Sequence, residues 1–166
     1  MKLKEAKNKF IQTWGAFGTQ WGINKTMAQI HALLMVSTEA LSMEDIMEEL
    51  QISRGNASMN LRALMDWGIV YKEYKPGERK EFFTGEKDID ELARKIAKER
   101  SKREIKPAIR ILKEVSDIEE NHDDAKLFKK QTTDLYNFML RADNMIDKIS
   151  DQKENWITKT LFKLMS

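Results

Sequence analysis

Apolar residues recur along this chain with changing period, and the changes mark its elements. Near the start, Leu3, Ala6, Phe10, Trp14, Phe17 and Trp21 fall three or four residues apart, the spacing of one helix face. They predict a first helix over about Leu3 to Gln20 with one broad apolar face. Trp21-Gly22-Ile23-Asn24 breaks that pattern. Asn24 is a candidate N-cap for a second helix through Met27, Ile30, Leu33 and Leu34. Ser42 and Asp45 make an acidic capping box, and Leu41 with Ile46 supplies a hydrophobic staple across it. A third helix follows, with Ile46, Met47 and Leu50 as its buried stripe. Gln51-Ile52-Ser53 reads as a tight turn, with Ser53 capping a fourth helix from Arg54 to about Trp67. Ala57, Leu61, Leu64 and Met65 form its inner face, and Gly68 stands where a helix terminates.

The period then shortens. Ile69-Val70-Tyr71-Lys72-Glu73-Tyr74 and Lys80-Glu81-Phe82-Phe83-Thr84 flank a Pro76-Gly77 turn, which predicts a β-hairpin. From Asp88 onward the pattern is helical, with Pro107 expected to end or kink the first of these helices. Ala125, Phe128, Thr132, Leu135, Met139, Ala142, Ile146 and Ile149 alternate spacings of three and four. That is a heptad seam with Thr132 as its one polar member. Asp151 with Glu154 is placed to cap a last amphipathic helix carrying Trp156, Ile157, Leu161 and Leu164. The fold class is mainly α with a small β-hairpin.

Composition narrows the chemistry. Hydrophobic residues make up 41% and charged residues 34% of the 166 positions, the balance of a folded, soluble domain. With no cysteine, disulfides, zinc-thiolate sites and thiol catalysis are excluded. No apolar run approaches the roughly 20 residues of a membrane helix, and the charged N-terminus is not a signal peptide. A cytoplasmic location is expected. Only His31 and His122 are available as histidines. His31 lies on an apolar helix as a packed or capped residue, and His122 precedes Asp123 and Asp124 at a helix start. Neither has partners at metal-ligand spacing. No phosphate loop, nucleophile elbow or dinucleotide fingerprint is present. The sequence therefore predicts neither an enzyme nor a metal or cofactor site.

Two helices joined by a tight turn and followed by a hairpin make a winged helix-turn-helix, whose second helix enters the DNA major groove. The fourth helix suits that task. Asn56 and Asn60 share a face, opposite Ala57, Leu61 and Leu64, and an Asn amide can pair with an adenine edge. Arg54 and Ser58 can bond bases or phosphates, and Gly55 leaves room for a phosphate at the helix start. Lys75, Arg79 and Lys80 in the hairpin can touch phosphate, although Glu73, Glu78 and Glu81 interleave with them. The net charge of +2 is small for a nucleic-acid binder, so local placement matters more than the sum. Arg94, Lys95, Lys98, Arg100, Lys102, Arg103 and Lys106 form the most basic stretch, which reads as a solvated helical face, with contact to DNA as the alternative. Phe10, Trp14, Phe17 and Trp21 could line a pocket for a small organic cation, or serve as core or dimer interface. Tyr71, Tyr74, Phe82 and Phe83 are alternative lining. A winged helix that binds protein and not DNA is the rival reading.

Trp21-Gly22 and Ala28-Gln29-Ile30-His31-Ala32-Leu33-Leu34 resemble the second-helix signature of GbsR-like regulators in the MarR superfamily. Ser53-Arg54-Gly55-Asn56-Ala57-Ser58-Met59-Asn60-Leu61-Arg62 resembles that family's recognition helix. Trp67-Gly68-Ile69-Val70 and Gly77-Glu78-Arg79-Lys80 resemble its following strand and wing. The likeness spans about residues 10 to 110. The family carries a proline near position 24, where this chain has Asn24. The resemblance implies a dimeric cytoplasmic repressor, and a symmetric dimer would read a palindromic double-stranded operator. Ser53, Arg54, Gly55, Asn56, Ser58, Met59, Asn60 and Arg62 would lie on the DNA-reading helix, and Lys75, Gly77, Arg79 and Lys80 in the wing. Several relatives control uptake or synthesis of osmoprotectants, and some sense choline. The expected organisation is an N-terminal dimerisation helix over 1–22, the winged helix-turn-helix over 23–87 and a C-terminal helical dimerisation region over 88–166.

Overall fold

In the computed structural model, which describes residues 1–151, helix α1 spans Leu3–Gln20. Its start is secured by the Glu5 carboxylate, which accepts from the Lys2 N–H at 3.0 Å. The face it buries is not the aromatic one. Ile11, Gly15 and Gly18 are buried, packed on α2 (Lys25–Val36). A Cβ on Gly18 would stand 2.5 Å from the Cβ of Ala28, and one on Gly15 2.6 Å from Cγ of Gln29. The missing side chains let the two helices close, since the contacting side chains set the distance between helix axes. Phe10 and Trp14 lie half-buried along the flank of this contact, and Phe17 and Trp21 are exposed.

Asn24 caps α2 by accepting from the Met27 N–H at 3.2 Å. The other end of α2 is closed from a distance in sequence. The Lys87 ammonium donates to the carbonyls of Leu34 at 2.6 Å, Met35 at 3.0 Å and Ser37 at 2.6 Å. A cation there satisfies carbonyls that a helix end leaves without partners and complements its dipole. Helix α3 (Met43–Leu50) carries the predicted capping box. Ser42 Oγ accepts from the Asp45 N–H, and Asp45 Oδ2 accepts from the Ser42 N–H at 2.8 Å. These bonds hold the Asp45 carboxyl below the usual carboxylate range. Gln51 turns the chain with a left-handed φ of 52°. Ser53 then caps α4 (Arg54–Asp66), its hydroxyl accepting from the Asn56 N–H at 3.3 Å.

The hairpin consists of β2 (Val70–Glu73) and β3 (Phe82–Gly85), with Tyr71 opposite Thr84. A third strand, β1 (Leu41–Ser42), pairs with β3 on its other edge, giving an antiparallel sheet of order β1-β3-β2. Two residues are too few for a visible alternation, so the sequence pattern carries no sign of β1. Ile30, Leu34, Ile46, Leu61, Leu64, Val70 and Phe83 are fully buried and form the core of this first unit, Met1–Leu92.

From Ala93 onward the chain forms a second unit. Helix α5 (Ile89–Arg100) runs into a π-helical turn, Ser101–Ile105, and then α6 (Lys106–Val115). Pro107 thus lies in the first turn of α6, where a missing N–H costs least, and the widened turn precedes it. That turn buries Ser101, whose hydroxyl donates to the Asp143 carboxylate on α7 (Asp123–Asp151). His122 caps α7, its Nδ1 accepting from the Ala125 N–H at 3.3 Å while its other ring nitrogen meets Glu120 at 2.8 Å. α7 packs on α6. Of its heptad seam Ala125 is buried, Thr132, Met139, Ala142, Ile146 and Ile149 are half-buried, and Phe128 and Leu135 stay exposed. The last amphipathic helix predicted from Asp151 and Glu154 lies outside the described residues.

Candidate nucleic-acid interface

Helix α4 is fixed on its inner side by Ala57, Leu61 and Leu64, all buried. Its outward side carries Gly55, the neighbours Ser58 and Met59, then Arg62 and Asp66, about one helical turn apart. These residues and Ala63 line a shallow depression of about 330 Å³. Arg62 is exposed and enters no ion pair among the described residues. Met59 is 61% exposed, the one large apolar side chain left open on this helix.

The two asparagines do not share an open face. Asn60 is only 3% exposed. Its Nδ2 donates to the Asn56 backbone carbonyl at 2.8 Å and to Asn56 Oδ1 at 2.7 Å. The expectation that Asn60 presents its amide outward is therefore corrected, because α4 is rotated so that position 60 lies with Ala57 and Leu61. Asn56 is half-buried, and its Nδ2 reaches Thr26 Oγ1 on α2 at 3.4 Å. A chain Thr26–Asn56–Asn60 ties the start of α4 to the start of α2. Thr26 carries no sequence signal for this role, since nothing in a linear pattern links positions 30 apart.

Arg54 is exposed but occupied. Its guanidinium donates to Glu44 on α3 at 2.6 Å, and this partner holds the Glu44 carboxyl below its usual range. Ser53 is used as a cap. In the wing, Lys75, Pro76, Gly77 and Glu78 form a turn closed by the Glu78 N–H donating to the Lys75 carbonyl at 3.1 Å. Gly77 has φ of 82°, which the third position of a type II turn requires. Lys75 lies with its ammonium 4.4 Å from the Phe82 ring centre and bonds Ala40 O at 3.5 Å. Lys72 and Glu81 pair across the hairpin at 2.5 Å. Arg79 and Lys80 remain exposed, with no ion pair among the described residues.

The aromatic residues of α1 and Trp21 just after it contact one another, with Phe17 and Trp21 stacked and Trp14 edge-on to Trp21. Ring centres lie 5.5 Å apart for Phe10 and Trp14, 5.9 Å for Trp14 and Trp21, and 5.8 Å for Phe17 and Trp21. Trp14 also meets His31 on α2, at 6.4 Å. His31 is packed, not capped: it is 3% exposed, and its Nε2 is buried without a hydrogen-bond partner. Burial pushes its pKa down to about 4, so the imidazole is neutral at pH 7.

No helix of the described residues is long and apolar enough to cross a membrane, and none of their His, Asp and Glu side chains cluster as a metal site.

Comparison with known proteins agrees with this scaffold. A solved structure described as a transcriptional regulator superposes with a TM-score of 0.67 over 86% of this chain and 94% of its own, at 16% identity, which establishes the fold. The HTH-type transcriptional repressor GbsR of Bacillus subtilis (strain 168) is 25% identical over 87 residues, or 52% of this chain. The match spans about half (48%) of that relative's length. The MarR family model matches residues 21–81, from the end of α1 to the wing. That segment is similar to the MarR family, and its fold is a winged helix-turn-helix.

Proposed function

We propose that this chain is a transcriptional regulator of repressor type that binds double-stranded DNA as a homodimer. The observation that carries the reading is the outward side of α4. A capped helix, braced from behind, leaves Gly55, Ser58, Met59 and Arg62 open on a fold that places such a helix in the major groove. Asp66 lies at the far end of that side, where its charge and the helix dipole repel phosphate, so the first half of α4 is the half that approaches DNA. Arg79 and Lys80 would meet phosphates, which position a protein without specifying sequence. Exposed Leu127, Phe128, Leu135, Phe138 and Met145 on α7 support the homodimer, because a helix that apolar needs a partner. Two-fold symmetry would then make the operator an imperfect palindrome, with half-sites about 10 base pairs apart or a multiple of that.

The repressor sign and a link to osmoprotectant genes come from the GbsR-like resemblance. A small organic cation is the effector that fits the aromatic cluster, seated on the exposed rings of Phe17 and Trp21. Choline or glycine betaine should then quench tryptophan fluorescence saturably. No change at millimolar ligand leaves the cluster as interface.

The deciding experiment is a gel shift with DNA upstream of the chain's own gene, repeated across salt concentrations. Binding that weakens linearly in log-log form with salt marks phosphate contacts. Absence of binding to any duplex favours the protein-interaction module.

A further inference from the structure

Two residues on the outward side of α4 are not explained by the fold. Gly55 is the second residue of α4, and a Cβ built on it would meet nothing within 4 Å. Alanine would fit there and favour the helix, since glycine is the weaker helix former. The fold therefore gives no reason for glycine at 55; a reason remains only if something approaches from outside. One turn later on the same side, Met59 is 61% exposed. An exposed apolar residue is ordinary by itself. This one helps line a depression with Gly55, Ser58, Arg62, Ala63 and Asp66. A docking site for protein would continue the apolar surface, and here small and polar groups surround a single apolar one.

The major groove has the matching pattern. Its base edges are polar except for the C5-methyl group of thymine. We propose that Met59 is a specificity-determining residue that packs on a thymine methyl, in a notch that Gly55 keeps open for the base edge. Methionine is unbranched and polarisable, so it can follow the position of a methyl group without a preformed cup. Arg62, free of protein partners among the described residues and one turn further on, is placed for the neighbouring base. This rests on the DNA-binding reading above and adds which base is read, and by what.

The test uses deoxyuridine, which pairs like thymine and lacks only the methyl group. The full chain selects its best duplex from a randomised pool, and affinity is measured by fluorescence anisotropy with each thymine replaced in turn. Removal of the methyl group that Met59 touches should weaken binding about fourfold per half-site, and roughly 15-fold when both half-sites are changed. Met59→Ala should weaken binding to the thymine duplex by the same factor and become indifferent to the replacement. Gly55→Ala should raise Tm by about 1–3 °C and yet weaken binding. A selected duplex whose affinity no deoxyuridine alters overturns the proposal, as does a Met59→Ala variant that keeps the discrimination. Either result leaves DNA binding standing. Failure to enrich any duplex overturns the DNA-binding reading, and the proposal with it.

Discussion

Helices α4 and α7 finish their burial in opposite ways. α4 spans 13 residues and buries Ala57, Leu61 and Leu64 within its own chain, leaving outside a small polar side with Met59 at its centre. α7 spans 29 residues and leaves Phe128 46% and Phe138 59% exposed. The first has satisfied its apolar side, so whatever meets it must be recognised by polar groups and shape. The second has not, and its exposed residues call for another apolar surface. Exposed large apolar groups thus separate a candidate DNA-reading element from a candidate assembly element, although both are amphipathic helices.

The largest effect should come from breaking the assembly side. Phe128→Glu with Leu135→Glu places two charges where a partner helix would bury them, each costing several kcal/mol if left unpaired. Both positions are exposed in the single chain, so the variant should fold and sediment as a monomer with operator binding strongly reduced. A wild-type chain that is monomeric at micromolar concentration contradicts the division of roles between the two helices.

The closed interior of the first unit can be probed through His31. Its folded pKa of about 4 lies below the unfolded value of about 6.5. The unfolded chain therefore binds the proton more readily, and stability falls as pH drops through 6.5, levelling off near 4. Between pH 7.5 and pH 5 the loss should be about 2 kcal/mol, read as a shift of the urea midpoint. His31→Leu should flatten that slope. An unchanged slope would show that His31 gains access to water. Asp45, whose pKa is lowered, adds stability that is lost only further down, below the usual carboxylate range.

A smaller effect distinguishes the brace from the reader on α4. Asn60→Ala removes a buried donor from Asn56 and should cost about 1–2 kcal/mol of stability along with DNA affinity. Arg62→Ala should leave the melting temperature within a degree or two and weaken DNA binding alone. Equal melting temperatures for both variants would place Asn60 with the readers. Smallest of all, Arg79→Ala and Lys80→Ala should each lower the salt slope by about 1 while weakening all sequences alike. A loss confined to one base pair would make the wing a reader of sequence.

Much of the first unit is legible in the sequence because its signals are local. Asn24, Ser42 with Asp45, and Ser53 act on N–H groups three residues away, and Pro76-Gly77 sets its own turn. The candidate interface is half legible. Ser53 to Arg62 stands out as a segment, yet the rotation of α4 that turns Asn60 inward and leaves Met59 outward depends on what Leu61 and Leu64 pack against. On α1 the periodicity marks a side that is only half-buried at Ala6, Phe10 and Trp14, while the tightest contact with α2 runs through Gly15 and Gly18. Six apolar residues outweigh two glycines in any count of hydrophobicity, while helix approach depends on how little stands between the backbones.

The sequence by itself determined where helices start, where the chain turns and which segment carries the MarR-type pattern, because those features rest on bonds between near neighbours. Tertiary structure alone decided which faces meet. The Lys87 ammonium on the end of α2, the Arg54–Glu44 pair, strand β1 on the edge of β3 and the Ser101–Asp143 bond under the π turn each join residues at least ten positions apart. Such contacts leave no spacing for a one-dimensional pattern to register, because packing, and not chain distance, brings the groups together.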